Sequence, residues 1–472
     1  MAGPTQIADL RAILQAMKRA RLTAGPADAA LRRDRLARAG QLIRENHQAL
    51  VDAMDADFGG RSPYQSLAAD IGTTLKTLAD SAEHLEAWMA EEAVEAPAPG
   101  MKAWIQPQPV GVVGVISPWN FPVNLAFAPL AGVFAAGNVA LIKPSELTPR
   151  TSELIADLVA RYFDPMELGV VLGEADVGAA FSALPFDHLV FTGGTEVGRH
   201  VMAAAAQNLT PVTLELGGKC PVFIDEGADL SMAVQRTLTV KTFNAGQICL
   251  SPDYVLVPAA DVDAFVREAQ GFMAEAFPVI ASNPDYTAVV NTRHYDRLVD
   301  MVEDARAKGA TIVSLAPAGE AAFDRATRRV APVLILNADD AMLVMKEEIF
   351  GPLLPVVGYL DRSEATVRIN AGPRPLAAYY FGDDLDRQSA FAAATTSGAL
   401  VFNDVMTHAS IDALPFGGVG ASGMGAYHGV HGFRRFSHFK AVVRQSPSGE
   451  TGLRLRAPYA DKAPELKAAL GF

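Results

Sequence analysis

The chain has 472 residues, half of them hydrophobic and 20% charged, with a net charge of −13. That length exceeds what one hydrophobic core usually serves, so two or three domains are expected, and the composition excludes a disordered chain. The acidic total disfavours nucleic acid or an anionic membrane surface as a main partner, because phosphate binding needs a basic face.

The first hundred residues read as helices. Ser62-Pro63 has the form of an N-cap followed by proline at the first helical position, and Leu67, Ile71, Leu75, Leu78, Ala82, Leu85 and Trp88 then fall on one helical face. A Pro/Gly linker at 96–100 ends that run, and 102–117 reads as extended. Strands at 138–142, 169–172, 188–192 and 211–216 alternate with helices at 122–136, 150–162, 176–183 and 196–206. This is the pattern of a parallel sheet with helices on its faces, whose ligands bind beyond the carboxyl ends of the strands. The most membrane-like run, 123–142, is broken by Pro129, Gly132 and Gly137, so it reads as a buried helix, a turn and a buried strand.

A second α/β segment begins near Gly217. It has strands near 221–224, 254–257, 311–314, 332–336, 353–360, 376–381 and 399–402, and helices near 229–244, 261–275, 291–308 and 386–396. A glycine-rich run at 414–425, a last strand at 438–444 and a Ser/Gly/Pro-containing tail follow. The N-terminus lacks the basic-then-apolar order of a signal peptide, and two cysteines make no disulfide framework, so a reducing cytoplasm is the expected location. No His/Cys spacing suits a metal, and none is expected.

One of the two cysteines, Cys249, stands just after a glycine in FNAGQICLS at 243–251, between a helix-like and a strand-like run. A cysteine alone is more often a small buried hydrophobe than a nucleophile, so its company must decide. Four stretches supply that company, each following a strand-like run. In SPWNFP at 117–122, Asn120 sits between two prolines and offers a rigid amide donor toward developing negative charge; alone it is more often a residue that caps or turns the chain before a helix. In KPSE at 143–146, Lys143 and Glu146 stand where a nucleotide ribose would lie, and a glutamate there repels a 2′-phosphate, favouring NAD over NADP; the other reading is a solvated lysine at a strand end followed by a proline turn. FTGGTEVG at 191–198 is a glycine-rich turn between strand and helix, without the full G-x-G-x-x-G. In TLELGGK at 213–219, Glu215 is a carboxylate in an apolar run, either paired or tuned for general base work. Cys220, followed by Pro221, Val222 and Phe223, reads as a structural residue of a buried strand. A low-pKa thiol, an oxyanion donor, a carboxylate base and a dinucleotide site together suit oxidation of an aldehyde through a thioester.

With these motifs in order, and with EEIFGP at 347–352 and LPFGG at 414–418, the chain resembles the NAD(P)-dependent aldehyde dehydrogenase superfamily from about residue 20 to 445. The segment after Cys249, together with Asn403-Asp404 and the run from Ser422 to Gly429, resembles the class III and coniferyl-aldehyde dehydrogenase branch. The resemblance implies Cys249 as nucleophile, Glu215 as general base, and Asn120 with the Cys249 N–H as oxyanion hole. It implies cofactor contacts at Ser117, Trp119, Lys143, Ser145, Glu146, Gly193, Gly194, Val197, Leu216, Glu348 and Phe350. Gly194 and Cys220 stand where serine is frequent, and Ile248 where threonine or valine often precedes the nucleophile.

The fold implied is α/β. A Rossmann-type cofactor domain would come from 1–97 and 112–214, an α/β catalytic domain from 215–430 and a small β oligomerisation element from 98–111 and 431–446, with 447–472 as a tail. The stretch 435–443 would be the edge that pairs with a second copy. The expected partners are an aldehyde, aromatic or medium-chain, and another copy of the chain in a homodimer or tetramer; the expected cofactor is NAD, with NADP as an alternative. His408, Phe121 and Phe127 are candidates for lining the aldehyde pocket. Two other readings carry different tests: a coenzyme A-acylating enzyme, against which Glu215 argues, and an inactive binding relative, against which the intact Cys249, Glu215 and Asn120 argue.

Overall fold

The computed structural model describes residues 5–97, 100–447 and 455–472. Ala98 and Pro99 of the expected linker, and 448–454 of the expected tail, lie outside the described residues.

The N-terminal helices are Ile7–Ala24, Ala29–Glu45 and His47–Phe58. A fourth helical run begins at Pro63, with the Ser62 hydroxyl accepting from the Gln65 N–H, and continues through a π-helical stretch, Ser66–Gly72, into Thr73–Met89. The π turn advances the phase of the helix. Leu67, expected on the apolar face, is therefore exposed, and Ser66 and Asp70 are buried instead. Asp70 pairs with Arg61 at 2.7 Å, both side chains fully buried. Its other oxygen accepts from the N–H groups of Val123 and Asn124, each at 3.0 Å. A buried ion pair is tolerable when its remaining lone pairs are satisfied in this way.

Two larger sheets follow. The first runs, in spatial order, Gly423–Met424, Val212–Leu216, His188–Gly193, Val112–Ile116, Val139–Lys143, Leu168–Val170. All its pairings are parallel except that of Gly423–Met424. The second runs Thr311–Ser314, Val333–Leu336, Leu353–Tyr359, Pro252–Pro258, Cys220–Ile224, Ala377–Phe381, Ala399–Phe402, antiparallel only at its first pair. Strands covered on both faces carry continuous apolar runs; Val139–Lys143, Val212–Leu216 and Ala377–Phe381 are buried throughout. The membrane-like run resolves into the buried helix Asn124–Ala135 and the strand Val139–Lys143. Helix Gly429–Arg435 crosses that helix so closely that a side chain on Gly132 would come within 2.8 Å of the Gly432 carbonyl carbon.

A third sheet joins Glu92–Val94, Lys102–Pro109 and Ser437–Arg444. Its last strand starts at Ser437, because Arg434 and Arg435 still belong to the preceding helix. The outer edge of that strand pairs with nothing among the described residues. The tail contains a helix, Lys462–Ala469, that the sequence reading did not include. Among the described residues no helix is long and apolar enough to cross a membrane.

Candidate active site

The loop carrying Cys249 is built on an unusual backbone. After helix Leu230–Thr242, three successive residues, Asn244, Ala245 and Gly246, have φ of 49°, 51° and 70°. A non-glycine residue in this left-handed region costs about 1–2 kcal/mol, and a dense set of hydrogen bonds offsets it. The Asn244 N–H donates to Gln65 Oε1 at 2.9 Å, and its side-chain amide donates to the Asn120 and Gln247 carbonyls at 3.1 and 3.2 Å. Gln247 in turn donates to the carbonyls of Asn244 and Ala288 and accepts from the Val290 N–H. Gly246 is required: a Cβ there would stand 2.5 Å from the Gly351 carbonyl oxygen. Ile248 and Leu250 point into the core, leaving Cys249 half-buried between them. Three side chains hold the backbone beyond it. The Cys220 thiol donates to the Cys249 carbonyl at 3.4 Å, the Tyr379 hydroxyl to Leu250 at 2.6 Å and the Lys241 ammonium to Pro252 at 2.7 Å.

Cys249 opens onto a cavity of about 260 Å³. Asn120 and Glu215 share its wall, with Trp119, Gly193, Gly194, Leu216, Glu348 and Phe350. The Asn120 carbonyl accepts from buried Arg61 at 3.0 Å, and one side-chain N–H donates to the Gln247 carbonyl at 3.1 Å. An amide carries two N–H donors, so the second remains for a ligand. Sheet register explains how Glu215 arrives there. It lies beside Thr192 on one strand and opposite Gly423 of the glycine-rich run on the other.

The other expected site residues continue along the carboxyl ends of the same sheet, off the cavity wall. Lys143 ends its strand and reaches Glu146 at 2.8 Å. Ser145 is buried, its hydroxyl accepting from the Leu147 N–H. Ser117 is also buried, and its hydroxyl has no partner among the described residues. Val197 is exposed on the first turn of helix Thr195–Ala206, and Gly194, just before it, has open space where a side chain would stand. Phe127 belongs to the hydrophobic core, not to a pocket: it is completely buried in helix Asn124–Ala135. His408 stacks on Phe416 and is not among the residues lining this cavity.

Comparison with known proteins shows which family the chain belongs to. Residues 4–442 match the model of the aldehyde dehydrogenase family. The chain belongs to the aldehyde dehydrogenase family. It is 55% identical to a coniferyl aldehyde dehydrogenase of a Pseudomonas species, over 99% of this chain and 97% of that one. A solved structure of Staphylococcus aureus AldH in a substrate-bound state superimposes with a TM-score of 0.91 at 35% identity, covering 97% of this chain and 99% of the other. A Staphylococcus aureus betaine aldehyde dehydrogenase in complex with NAD+ matches with a TM-score of 0.82 at 27% identity, covering 94% and 88%. The chain is thus an aldehyde-oxidising enzyme of the aldehyde dehydrogenase fold.

The electrostatics of this aldehyde dehydrogenase correct one expectation. The Cys249 thiol is not acidic. Burial, and then the carboxyls of Glu348 and Glu215, push it up to about 12, while the backbone N–H groups of Cys249 and Leu250 pull it down. Glu215 is likewise held well above the ordinary carboxylate range by burial, with Arg435 opposing; neither of its oxygens has a hydrogen-bond partner among the described residues. Burial and Asp253 raise Glu348 to about 8, although the Gly218 N–H donates to it. Its carboxyl lies directly over the Gly217 Cα, where any side chain would collide.

The sequence reading missed His294 and Arg297, which also line the cavity of the dehydrogenase. They stand three residues apart on the helix Thr292–Ala307, and that spacing was the available signal. Burial lowers His294 to about 4, so the ring is neutral, and it packs edge-on against Trp119 at 5.0 Å. Trp119 meets Phe350 in the same way at 5.4 Å. Arg297 donates to the carbonyls of Glu348 and Ile349, which fixes the backbone on which Glu348 and Phe350 stand.

Proposed function

We propose that this aldehyde dehydrogenase oxidises aromatic aldehydes of the coniferyl type with NAD, releasing the carboxylic acid from a Cys249 thioester. The observation that carries the reading is the meeting of Cys249, Asn120 and Glu215 on one cavity wall. The remaining wall and the sheet end beyond it suit a dinucleotide. An unhindered Gly194 opens a helix of 12 residues, and Ser117 presents an orphaned hydroxyl at a strand end. Glu348 and Phe350 would take the nicotinamide ribose, and Lys143 and Glu146 the adenosine ribose. Bound NAD would supply a hydride acceptor and a positive ring charge.

The chain's own groups then divide the work. Cys249 Sγ adds to the carbonyl carbon, and the developing alkoxide is met by the free Asn120 N–H and the Cys249 backbone N–H. The thiol proton leaves to solvent as Sγ adds, and loss of hydride from the alkoxide carbon then leaves a thioester. Water, deprotonated by Glu215, attacks the thioester; the acid leaves and the thiol is restored. A raised carboxyl is the stronger base once ionised, and positive charge nearby lowers both it and the thiol toward working range.

The coniferyl assignment draws on the Pseudomonas relative, and the NAD preference on Glu146, whose charge would repel a 2′-phosphate. The exposed edge of Ser437–Arg444 supports a homodimer, and the free thiols of Cys220 and Cys249 support a reducing, cytoplasmic location. A panel of coniferyl aldehyde, benzaldehyde and aliphatic aldehydes, each with NAD and NADP, tests the assignment. Highest kcat/KM for an aromatic aldehyde with NAD is expected. Preference for short aliphatic aldehydes or NADP, or acceleration by coenzyme A, would overturn it.

A further inference from the structure

A second cavity, of about 680 Å³, lies behind the segment that carries Glu348. Its floor is apolar, formed by Leu256, Val357 and Ile369. Most of its charges are already committed. Arg368 pairs with Asp340 at 2.6 Å, and Glu364 accepts from the Leu360 and Asp361 N–H groups that begin the next helix. The Lys346 ammonium, exposed at the mouth within electrostatic reach of Asp304, makes no side-chain hydrogen bond or salt bridge among the described residues. Tyr254 on the floor is only 6% exposed, and its hydroxyl has no hydrogen-bond partner among the described residues. An apolar floor, one accessible hydroxyl donor and one ammonium without a salt bridge are complementary to an anion with an apolar body.

The cavity and the active site are two sides of one segment. Met345 and Lys346 line the first; Glu348 and Phe350 line the second. Lys219, also on the groove wall, donates to the carbonyls of Val344 and Glu347 at 2.6 and 3.0 Å and pairs with Asp253. Asp253 accepts from the Ile349 N–H at 2.9 Å. An anion in the groove would draw on the same Lys219 ammonium that holds this segment.

We propose that the groove is a second ligand site, for a small apolar carboxylate, and that its occupancy weakens cofactor binding through the Lys219-held segment. Carboxylates are the class that the reaction proposed above releases, so the site would act as product feedback. That reading supplies only the ligand's origin; the groove chemistry stands apart from it.

The test uses the intact enzyme with cinnamate as probe and cinnamamide as its neutral counterpart, and hexanal as substrate so that the aromatic preference is not assumed. Cinnamate is expected to raise KM for NAD by about fivefold, a common allosteric coupling, without competing with hexanal, and cinnamamide to do little. Lys346→Gln and Tyr254→Phe should each raise the cinnamate concentration that gives half this effect by about tenfold, the order of a charge-assisted hydrogen bond. Both should leave kcat and KM without cinnamate unchanged. Inhibition that competes with hexanal and ignores both substitutions, or equal potency of cinnamamide, would overturn the proposal.

Discussion

The strand of Cys220 and the loop of Cys249 lie 29 positions apart and touch, thiol to carbonyl, yet they put the same side chain to opposite uses. Cys220–Ile224 pairs on both sides within its sheet, so its alternate side chains must enter the core, and Cys220 is completely buried. The Cys249 loop has no strand partner among the described residues. Its left-handed turn at Asn244, Ala245 and Gly246 aims Cys249 along the cavity wall between two core residues. Burial raises both thiols, so acidity in the free chain does not separate them. What separates them is access, and the donor and carboxyl that share the wall with Cys249.

The largest expected effect sharpens this contrast. Cys249→Ala should lower turnover by at least roughly a thousandfold, as loss of a covalent nucleophile does, while Cys220→Ala should stay within about threefold of wild type, measured as NADH formation. Next come the neighbours on the wall: Asn120→Ala should cost roughly a hundredfold in kcat, as for one oxyanion donor. Gly246→Ala attacks the loop itself. Its methyl would meet the Gly351 carbonyl, so a loss of about 1–3 kcal/mol in stability is expected, together with reduced alkylation of Cys249 by iodoacetamide. If that variant keeps wild-type alkylation and Tm, the left-handed turn does not set the position of the thiol.

The smallest effect is a slope. Glu348 sits near 8 in the folded chain against about 4.3 for a free glutamate. Between those values the folded chain binds more protons than the unfolded one, so this group removes stability as pH rises through the window. Glu348→Gln should flatten the fall in Tm between about pH 5 and about pH 9. An unchanged slope would mean that the carboxyl is not buried against Asp253 as described.

Much of the architecture was legible because parallel strands buried on both faces write continuous apolar runs, as at Val139–Lys143 and Val212–Leu216. Leu67 escaped because a π turn shifts helical phase without a marker in the hydrophobic pattern. The short strand Glu92–Val94 is exposed throughout, and helix Lys462–Ala469 buries none of its residues, so neither carries a pattern to read. In the site, Asn120, Glu215 and Cys249 stood out because each lies close to a glycine or proline near a strand end. Glu348 is the second of two adjacent glutamates; only folding brings it over Gly217. The raised Cys249 thiol was hidden for the same reason, since the burial that chiefly raises it, and then the carboxyls of Glu348 and Glu215, come from distant segments.

The account rests on Cys249 carrying the acyl group. The direct measurement is to mix the Glu215→Gln variant with NAD and coniferyl aldehyde, quench, digest, and locate the acyl adduct by mass spectrometry while following NADH. About one equivalent of NADH in a single burst, with the adduct on the peptide containing Cys249, is the predicted result. An adduct on Cys220, or full steady turnover with no adduct on either cysteine, would contradict it.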